Sequence, residues 1–313
     1  MKYKSILITG GLGFVGGRIT RLLGNHYRVF VSSRKQPEAA VLKKHANPEV
    51  VLHDQLLNQQ TFPENIDVVI HLAALNEMDC VKFPSEAIRV NVDETRIILE
   101  NAMNRKVKKF IYFSTVHVYG APLTGCINEE SLPRPIHPYS ITHKAAEDYV
   151  NAAHDKKQIE GLIVRLSNSF GAPVSADVNR WTLLVNDLCR QAATTKQLKL
   201  NSNGCQFRDF ISLEDMEQAV LHLVDISLAG NNIINLSSGE SITVRQMADL
   251  IAVTFEELTG ESISIHLPEN AAPTEEQPLT ISCERLVKTG FQPGNNFKRE
   301  IEHLLIFCQN HFA

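Results

Sequence analysis

Short runs of apolar, mostly β-branched residues alternate with longer segments of helical periodicity through the first half of the chain. Val68-Val69-Ile70 has apolar side chains on consecutive positions, which is typical of a strand buried on both faces of a parallel sheet. The predicted strands are 4–9, 28–32, 50–52, 68–72, 109–114 and 162–166, and the predicted helices are 14–23, 84–106 and 139–157. Their alternation predicts an α/β fold, a doubly wound parallel sheet with right-handed crossovers.

The pattern changes after about residue 171. Helical periodicity continues at 180–194, 213–227, 244–259 and 297–310, a strand pattern occupies 232–236, and the Pro- and Glu-rich stretch 267–278 predicts a loop. We expect residues 1–170 to form the sheet domain, with 211–240 returning to it. Residues 171–210 and 241–313 are expected to form a smaller C-terminal α/β lobe.

Composition mainly excludes classes of protein. The 313 residues are 43% hydrophobic and 21% charged, which is an ordinary globular mixture. The net charge of −4 gives no reason to expect a nucleic-acid surface. The apolar runs are too short to span a bilayer, and the N-terminal residues enter a strand pattern without a signal-peptide core. Six cysteines without C-x-x-C spacing are typical of reduced thiols, so we expect a cytoplasmic protein. From the charge and the short apolar runs we expect neither membrane nor nucleic-acid partners.

A glycine-rich turn follows the first predicted strand and opens the first predicted helix. Gly10, Gly13 and Gly16 have the spacing G-x-x-G-x-x-G, and residues without a Cβ let the backbone approach a pyrophosphate at a helix N-terminus. The position between a strand and a helix is the context that makes this motif informative. The turn therefore predicts a dinucleotide site that includes Phe14 and Val15.

Residues 9–16 read T-G-G-L-G-F-V-G, which resembles the T-G-G-x-G-F-x-G of the extended short-chain dehydrogenase/reductase family, NAD-dependent epimerase/dehydratase type. The resemblance covers nearly the whole chain. It implies a Rossmann-type dinucleotide-binding domain, a substrate-binding lobe, and a homodimer joined through helices 84–106 and 139–157. It also implies cofactor contacts at three places. The H-x-A-A turn contributes Leu72, Ala73 and Ala74, and the segment whose aspartate reaches adenine contributes Asp54 and Gln55. The asparagine that steadies the active-site strand is Asn91.

The end of the second predicted strand bears on the choice of cofactor. An NAD-binding fold usually has Asp or Glu there, whereas this chain has Ser33 and Arg34, which suit a 2′-phosphate. We therefore predict NADP, with NAD possible. The alternative is that Arg34 and Lys35 form a solvated loop and that the enzyme accepts either cofactor.

The fifth predicted strand leads into Phe113-Ser114-Thr115-Val116-His117-Val118-Tyr119-Gly120, which resembles the family's F-S-S-x-x-V-Y-G. The resemblance assigns the hydroxyl that contacts the reacting oxygen to Thr115, and strand alternation is expected to turn Ser114 toward the other face. Dehydratases of the family carry an acidic pair after this threonine. The pair here is Val116 and His117, which argues against a 4,6-dehydratase.

The family's Y-x-x-x-K pair places tyrosine and lysine on one face of a helix. Here Tyr139 is followed at that spacing by His143, with Lys144 one position further along. Three interpretations stay open: His143 replaces the lysine in orienting the nicotinamide ribose, a local shift brings Lys144 into the site, or the site is weakened or non-catalytic. We take Tyr139 as the acid/base, with Thr115 polarising the same substrate oxygen.

Two further motifs concern the substrate. The run 164–173 resembles the family's L-R-x-x-N-x-Y-G-P, which implies that Asn168 contacts a diphosphate, and Arg208 lies in a run resembling R-D-F-I-H-V-x-D, which implies a phosphate contact. The stretch 273–278 carries two glutamates where many epimerases have a second arginine, which weakens the assignment of the substrate. His117 and His137 are taken as structural or loop histidines, and no spacing predicts a metal site.

The sequence thus predicts an NAD(P)-dependent epimerase or 4-keto reductase that acts on a nucleotide sugar. Two alternatives remain. One is a reductase of a small carbonyl compound that is not a nucleotide, and the other is a non-catalytic NADP-binding regulatory protein.

Overall fold

The computed structural model describes residues 2–228, 230–268 and 278–313. The strands in this part of the chain are β1 Ser5–Thr9, β2 Arg28–Ser33, β3 Glu49–Leu52, β4 Val68–His71, β5 Lys109–Thr115, β6 Gly125–Ile127, β7 Glu160–Leu166, β8 Asn168–Phe170, β9 Gln197–Lys199, β10 Phe207–Ser212, β11 Ile233–Leu236, β12 Ser241–Thr243, β13 Ser264–His266 and β14 Leu279–Ile281.

The α-helices are α1 Phe14–Leu23, α2 Ala39–Lys44, α3 His53–Leu56, α4 Glu77–Lys82, α5 Pro84–Ile88, α6 Thr95–Asn104, α7 Pro138–Asp155, α8 Leu184–Thr195, α9 Leu213–Asp225, α10 Val244–Thr259, α11 Glu284–Lys288 and α12 Phe297–Phe312. A π-helical segment, Arg89–Glu94, connects α5 to α6, and a 3₁₀-helix, Val116–Tyr119, follows β5. No helix among these residues is long and apolar enough to cross a membrane.

Seven strands form one parallel sheet in the order β11-β7-β5-β4-β1-β2-β3. Strands with consecutive apolar residues are buried on both faces of the sheet, as predicted, since every residue of β1, β4 and β5 is buried. The predicted α/β fold with a doubly wound parallel sheet is therefore confirmed.

Helices cover both faces of this sheet. Ile6 and Ile8 of β1 pack into one hydrophobic cluster together with residues of α1 and α9, whereas Leu7 packs into a second cluster with residues of α6 and α7. This alternation of side chains along β1 explains why the strand has no solvent-exposed face. The carboxyl ends of the strands are left uncovered by these helices, and the site described below lies there.

A separate hydrophobic cluster is built largely from α8, α10 and α12, around Phe170 and Phe210. Arg18 of α1 connects this region to the sheet, because its guanidinium pairs with Glu217 of α9 at 2.8 Å and with Glu300 of α12 at 3.0 Å. All three side chains are nearly buried. The division into 1–170, 211–240 and the remaining lobe stays a prediction, and the predicted loop at 267–278 lies mostly outside the described residues.

The long helices follow their predicted bounds closely, and 14–23 and 244–259 agree at both ends. The predicted helix 84–106 is instead divided by the π-helical segment at Arg89–Glu94. A π-helical turn shifts the helical register, and such turns are frequent at functional sites. The three-residue strands after residue 167 were not predicted, because they carry too few positions to display a period. The six-residue strand β10 was not predicted either.

Candidate active site

The turn after β1 forms a backbone cradle at the N-terminus of α1. Gly10 has φ +68°, a conformation that favours glycine, and a Cβ on Gly16 would overlap the carbonyl oxygen of Gly10. Gly13 caps α1 without a side-chain hydrogen bond, so no capping side chain covers the N–H groups of the first turn. Such a helix terminus stabilises an anion.

A groove of about 770 Å³ runs from this turn along the carboxyl ends of β1, β2, β4 and β5. The predicted cofactor residues that line it are Gly10, Gly13, Phe14, Val15, Gly16, Ser33, Arg34, Leu72, Ala73, Ala74, Tyr139 and His143. The structure therefore brings together most of the residues that the sequence assigned to a dinucleotide.

Asp54 and Gln55 do not line the groove. Asp54 is exposed, and the side chain of Gln55 accepts a hydrogen bond from the backbone N–H of Leu52 at 2.8 Å, which caps α3. The groove wall in this region is instead formed by His53, whose Nε2 lies 3.0 Å from a carboxylate oxygen of Glu94. The predicted adenine contact by Asp54 stays untested, and His53 is a groove residue that motif reasoning did not find.

Asn91 also stands behind the groove rather than in its wall. Its Oδ1 accepts from the backbone N–H of Leu75 at 2.7 Å, and its Nδ2 donates to Thr142 Oγ1 at 3.0 Å. Because Leu75 lines the groove and Thr142 belongs to α7, Asn91 connects the segment after β4 to the helix that carries Tyr139.

A smaller cavity of about 160 Å³ adjoins the groove and contains the predicted reacting groups. Thr115 and Tyr139 line it, and so does Ser114. Ser114 therefore stays at the site, although Ser114 and Thr115 are consecutive residues of β5, and the expectation that their side chains turn to opposite faces stays a prediction. Burial raises the pKa of Tyr139 above its usual value and the charge of Glu77 adds to this, whereas a hydrogen bond with Thr115 lowers the pKa.

His143 occupies the position of the family's lysine but carries no charge at neutral pH. Its ring lies edge-on to that of Tyr139, with 4.4 Å between the ring centres, and its Nδ1 is 2.7 Å from the hydroxyl of Tyr112. Burial lowers the pKa of His143 to about 4, although Glu77 opposes this shift. The imidazole is therefore neutral in the folded protein at pH 7.

Lys144 does not approach Tyr139. Its ammonium group pairs with the carboxylate of Asp148 one turn further along α7, and it does not line either cavity. Of the three interpretations left open by the sequence, a shift that brings Lys144 into the site is the one that this arrangement disfavours.

Two charged residues of the smaller cavity were not found by sequence reasoning. Glu77, at the start of α4, and Arg180 both line it and form an ion pair at 3.1 Å. Glu77 raises and Arg180 lowers the pKa of Tyr139. No short-range motif marks either residue, because the two are brought together only by the tertiary fold.

The predicted substrate residues lie in the same cavity. Asn168 of β8 and Arg208 of β10 both line it, and the amide of Asn168 donates to the main-chain oxygen of Asp209 at 2.7 Å. His117 lines the cavity too, and burial lowers its pKa. His137 instead caps α7, where its Nδ1 accepts from the backbone N–H of Tyr139 at 3.2 Å.

The residues of the groove fit a nicotinamide dinucleotide. Three of its lining side chains have a buried polar atom without a partner among the described residues, namely His143 Nε2, His45 Nε2 and Ser114 Oγ. Buried polar atoms are rarely left unpaired in folded proteins unless a ligand or water meets them. Together with the glycine cradle, these atoms supply both the phosphate site and the polar contacts that such a cofactor requires.

A sequence model of the NAD dependent epimerase/dehydratase family matches residues 6–237. The chain belongs to this family. The predicted resemblance to the extended short-chain dehydrogenases/reductases is thereby confirmed, and so is the prediction of an enzyme. The family is NAD-dependent and modifies nucleotide sugars.

Individual relatives agree with this assignment. Human dTDP-D-glucose 4,6-dehydratase is 25% identical over 99% of this chain and 91% of its own, and dTDP-glucose 4,6-dehydratase of Haemophilus influenzae is 27% identical over 94% and 95%. Among solved structures, UDP-N-acetylglucosamine 4-epimerase from Methanobrevibacter ruminantium, in complex with UDP-N-acetylmuramic acid, has a TM-score of 0.82 at 22% identity and covers 98% of both chains. This structural similarity supports the fold.

Proposed function

We propose that this protein is an NAD(P)-dependent enzyme that oxidises or reduces a carbon–oxygen centre on the sugar of a nucleotide sugar. The observation that carries the proposal is one cavity, open to the dinucleotide groove, that is lined by Thr115, Tyr139, Asn168 and Arg208. A hydroxyl pair for the reacting oxygen and two groups suited to a diphosphate are thus within reach of a single ligand.

Each residue of the site has a separate role in this proposal. Tyr139 exchanges a proton with the reacting oxygen, and Thr115 donates a hydrogen bond to the same oxygen. His143 orients the cofactor through Nε2. Asn168 and Arg208 hold the diphosphate. A bound nicotinamide ring supplies the hydride donor or acceptor.

The protonation state of Tyr139 bears on the choice between a reductase and an epimerase. Tyr139 is protonated at neutral pH, as an unperturbed phenol also is, and its raised pKa makes ionisation harder without making it a better proton donor. Before it can accept a proton from an alcohol, it must first ionise without help from a nearby lysine. We therefore propose a 4-keto reductase ahead of an epimerase, and Val116 and His117 speak against a 4,6-dehydratase despite the names of the relatives.

NADP is proposed as the cofactor, with NAD as the alternative. Ser33 and Arg34 line the groove at the end of β2. Arg34 is exposed and has no hydrogen-bond or ion-pair partner among the described residues, so its guanidinium is available to a 2′-phosphate.

We also propose a homodimer formed through the α4–α5 region and α7. Large apolar side chains are exposed in these segments, and they are Met78, Val81, Phe83, Ile88, Ile141 and Tyr149. An apolar surface of this kind favours self-association. Light scattering is expected to give twice the chain mass for the wild type and a reduced mass for Ile88→Glu, and a monomeric wild type would contradict the proposal.

The function is tested by product analysis. The protein is incubated with NADPH and 4-keto UDP- and dTDP-sugars, and in parallel with NAD⁺ and the corresponding sugars, and NMR spectroscopy identifies the products. We expect reduced sugars in the first set. Arg208→Gln is expected to raise KM for the nucleotide sugar, whereas the affinity for NADPH stays unchanged. Binding of NADPH without conversion of any sugar would support the regulatory alternative instead.

A further inference from the structure

The histidine of the site has a hydrogen-bond partner of its own on the neighbouring strand. Tyr112 lies on β5 and is fully buried, and its hydroxyl is 2.7 Å from Nδ1 of His143. The other ring nitrogen, Nε2, is buried and makes no hydrogen bond of standard geometry with the described residues, although the backbone of Phe113 interacts with the imidazole and raises its pKa. His143 lines the dinucleotide groove. One side of the imidazole is thus fixed by the protein, and the other is left for a ligand.

The protonation state of Tyr112 favours one tautomer of His143. Burial keeps the pKa of Tyr112 well above its usual value, so the phenol retains its proton. Nδ1 of His143 is the hydrogen-bond partner that this hydroxyl has in the described structure. If the phenol donates to Nδ1, the neutral imidazole carries its proton on Nε2. The opposite tautomer would leave the phenol proton without an acceptor.

His71 provides a comparison within the same protein. Thr95 donates its hydroxyl proton to the carbonyl oxygen of Asn91 at 2.8 Å, so its oxygen accepts from Nε2–H of His71 at 2.9 Å. Nδ1 of His71 then accepts from the hydroxyl of Thr9 at 2.9 Å. A hydroxyl group on Nδ1 therefore accompanies a proton on Nε2 in His71, which is the arrangement that the buried phenol of Tyr112 favours for His143.

We propose that Tyr112 is a positioning residue of this site, which donates to Nδ1 of His143 and so presents Nε2–H to the groove as a hydrogen-bond donor for an oxygen of the dinucleotide. His143 thereby supplies the donor that lysine supplies elsewhere in the family, but without the positive charge. The inference rests on cofactor binding in the groove, which the proposed function also requires. It does not depend on the identity of the substrate.

The tautomer is tested by long-range ¹H–¹⁵N NMR on protein labelled in histidine at pH 7.5, since a protonated ring nitrogen differs in shift from an unprotonated one. The signals of His143 are identified by their loss in His143→Gln. We expect His143 in the Nε2–H form, as for His71, and a move toward a mixture of tautomers in Tyr112→Phe. Tyr119→Phe is the matched control, because it removes another buried hydroxyl, bonded to Asn235 at 2.7 Å and not to His143.

A binding cycle tests the consequence for the cofactor. Tyr112→Phe is expected to raise the Kd of NADPH about fivefold in the wild-type background, because one hydrogen bond to the cofactor is no longer correctly oriented. The same substitution is expected to have no effect in the His143→Lys background, where there is no imidazole to orient. Tyr119→Phe is expected to change neither value.

Three results would overturn the inference: an Nδ1–H tautomer in the wild type, a tautomer that Tyr112→Phe leaves unchanged, or an equal loss of affinity in both backgrounds. None of these readouts uses a nucleotide sugar. Failure of the sugar reaction therefore leaves this test standing, and failure of this test leaves the sugar reaction open.

Discussion

The two ends of the active site are built in different ways. The cofactor end consists largely of main chain, at a turn where Gly10 and Gly16 pack against each other without room for a Cβ. The reacting end consists of side chains from separate segments, with Glu77 after β4, Thr115 at the end of β5 and Tyr139 on α7.

This difference has a consequence for chemistry. A backbone cradle is determined by a short stretch of sequence and tolerates few changes. A cavity of side chains can change its chemistry by single substitutions while the fold is kept. The exchange of lysine for His143, which is neutral at pH 7, is such a change. It removes a cation from the reacting end, whereas the glycine turn at residues 10–16 keeps the spacing of the motif.

The largest effect is expected at the reacting end. Tyr139→Phe removes the group that exchanges a proton with the substrate, and general acid–base groups contribute about 10²–10⁴-fold to rates. We expect kcat to fall by about that factor in steady-state assays, with little change in the Kd of NADPH. A variant that retains full turnover would assign the acid/base role to another residue.

A substitution at the cofactor end is expected to change the Kd of NADPH. Gly16→Ala forces the turn apart, because the new Cβ would overlap the carbonyl oxygen of Gly10. Overpacking of this kind costs about 1–3 kcal/mol, so the Kd of NADPH is expected to rise about 5- to 150-fold in fluorescence titrations. Gly260→Ala is the control for a strained glycine in open space, where φ is +75° and no atom lies within 4 Å of the Cβ. Equal affinities for Gly16→Ala and wild type would contradict the cradle.

Two buried histidines, His143 and His71, are expected to make the free energy of unfolding depend on pH. Burial lowers the pKa of His143 to about 4 and that of His71 to about 3, below the value of about 6.5 in the unfolded chain. The unfolded state therefore binds protons first, and the stabilisation present above pH 6.5 is lost as the pH falls. Each histidine is expected to lower the free energy of unfolding by about 2 kcal/mol between pH 7.5 and 5.

Urea denaturation at these two pH values provides the measurement. His143→Gln is expected to reduce the difference in unfolding free energy by about 2 kcal/mol. His71→Gln is expected to do the same and also to destabilise the protein at pH 7.5, because both of its ring nitrogens are hydrogen-bonded. An unchanged pH dependence in His143→Gln would mean that this imidazole is not held neutral.

The smallest effect is expected at the exposed rim of the cofactor end. Arg34→Ser removes a guanidinium group suited to a 2′-phosphate, and we expect about tenfold weaker binding of NADPH with unchanged binding of NADH. Lys35→Ser is the matched control, since it removes a neighbouring exposed cation. Tighter binding of NADH than of NADPH by the wild type would assign NAD as the cofactor.

The sequence was informative about those residues of both ends that lie in short motifs. The glycine turn, Ala73 and Tyr139 lie in short motifs, and consecutive apolar residues at 68–70 identify a strand buried on both faces. Glu77, Arg180, His53 and Tyr112 lie in no such motif, because their proximity to the site depends on how distant segments pack. The π-helical segment at Arg89–Glu94 was missed for a related reason, since periodicity predicts that a helix is present but not a local change in its register.

The proposed function requires that Tyr139 move a proton to or from a sugar oxygen beside a bound nicotinamide. Its most direct test is to mix the NADPH-loaded protein with a 4-keto nucleotide sugar in a stopped-flow instrument and follow the absorbance of the reduced nicotinamide. We expect a rapid loss of this absorbance in the wild type and a loss slowed by at least about 100-fold in Tyr139→Phe. No change in the wild type across 4-keto UDP- and dTDP-sugars, or an equal rate in Tyr139→Phe, would contradict it.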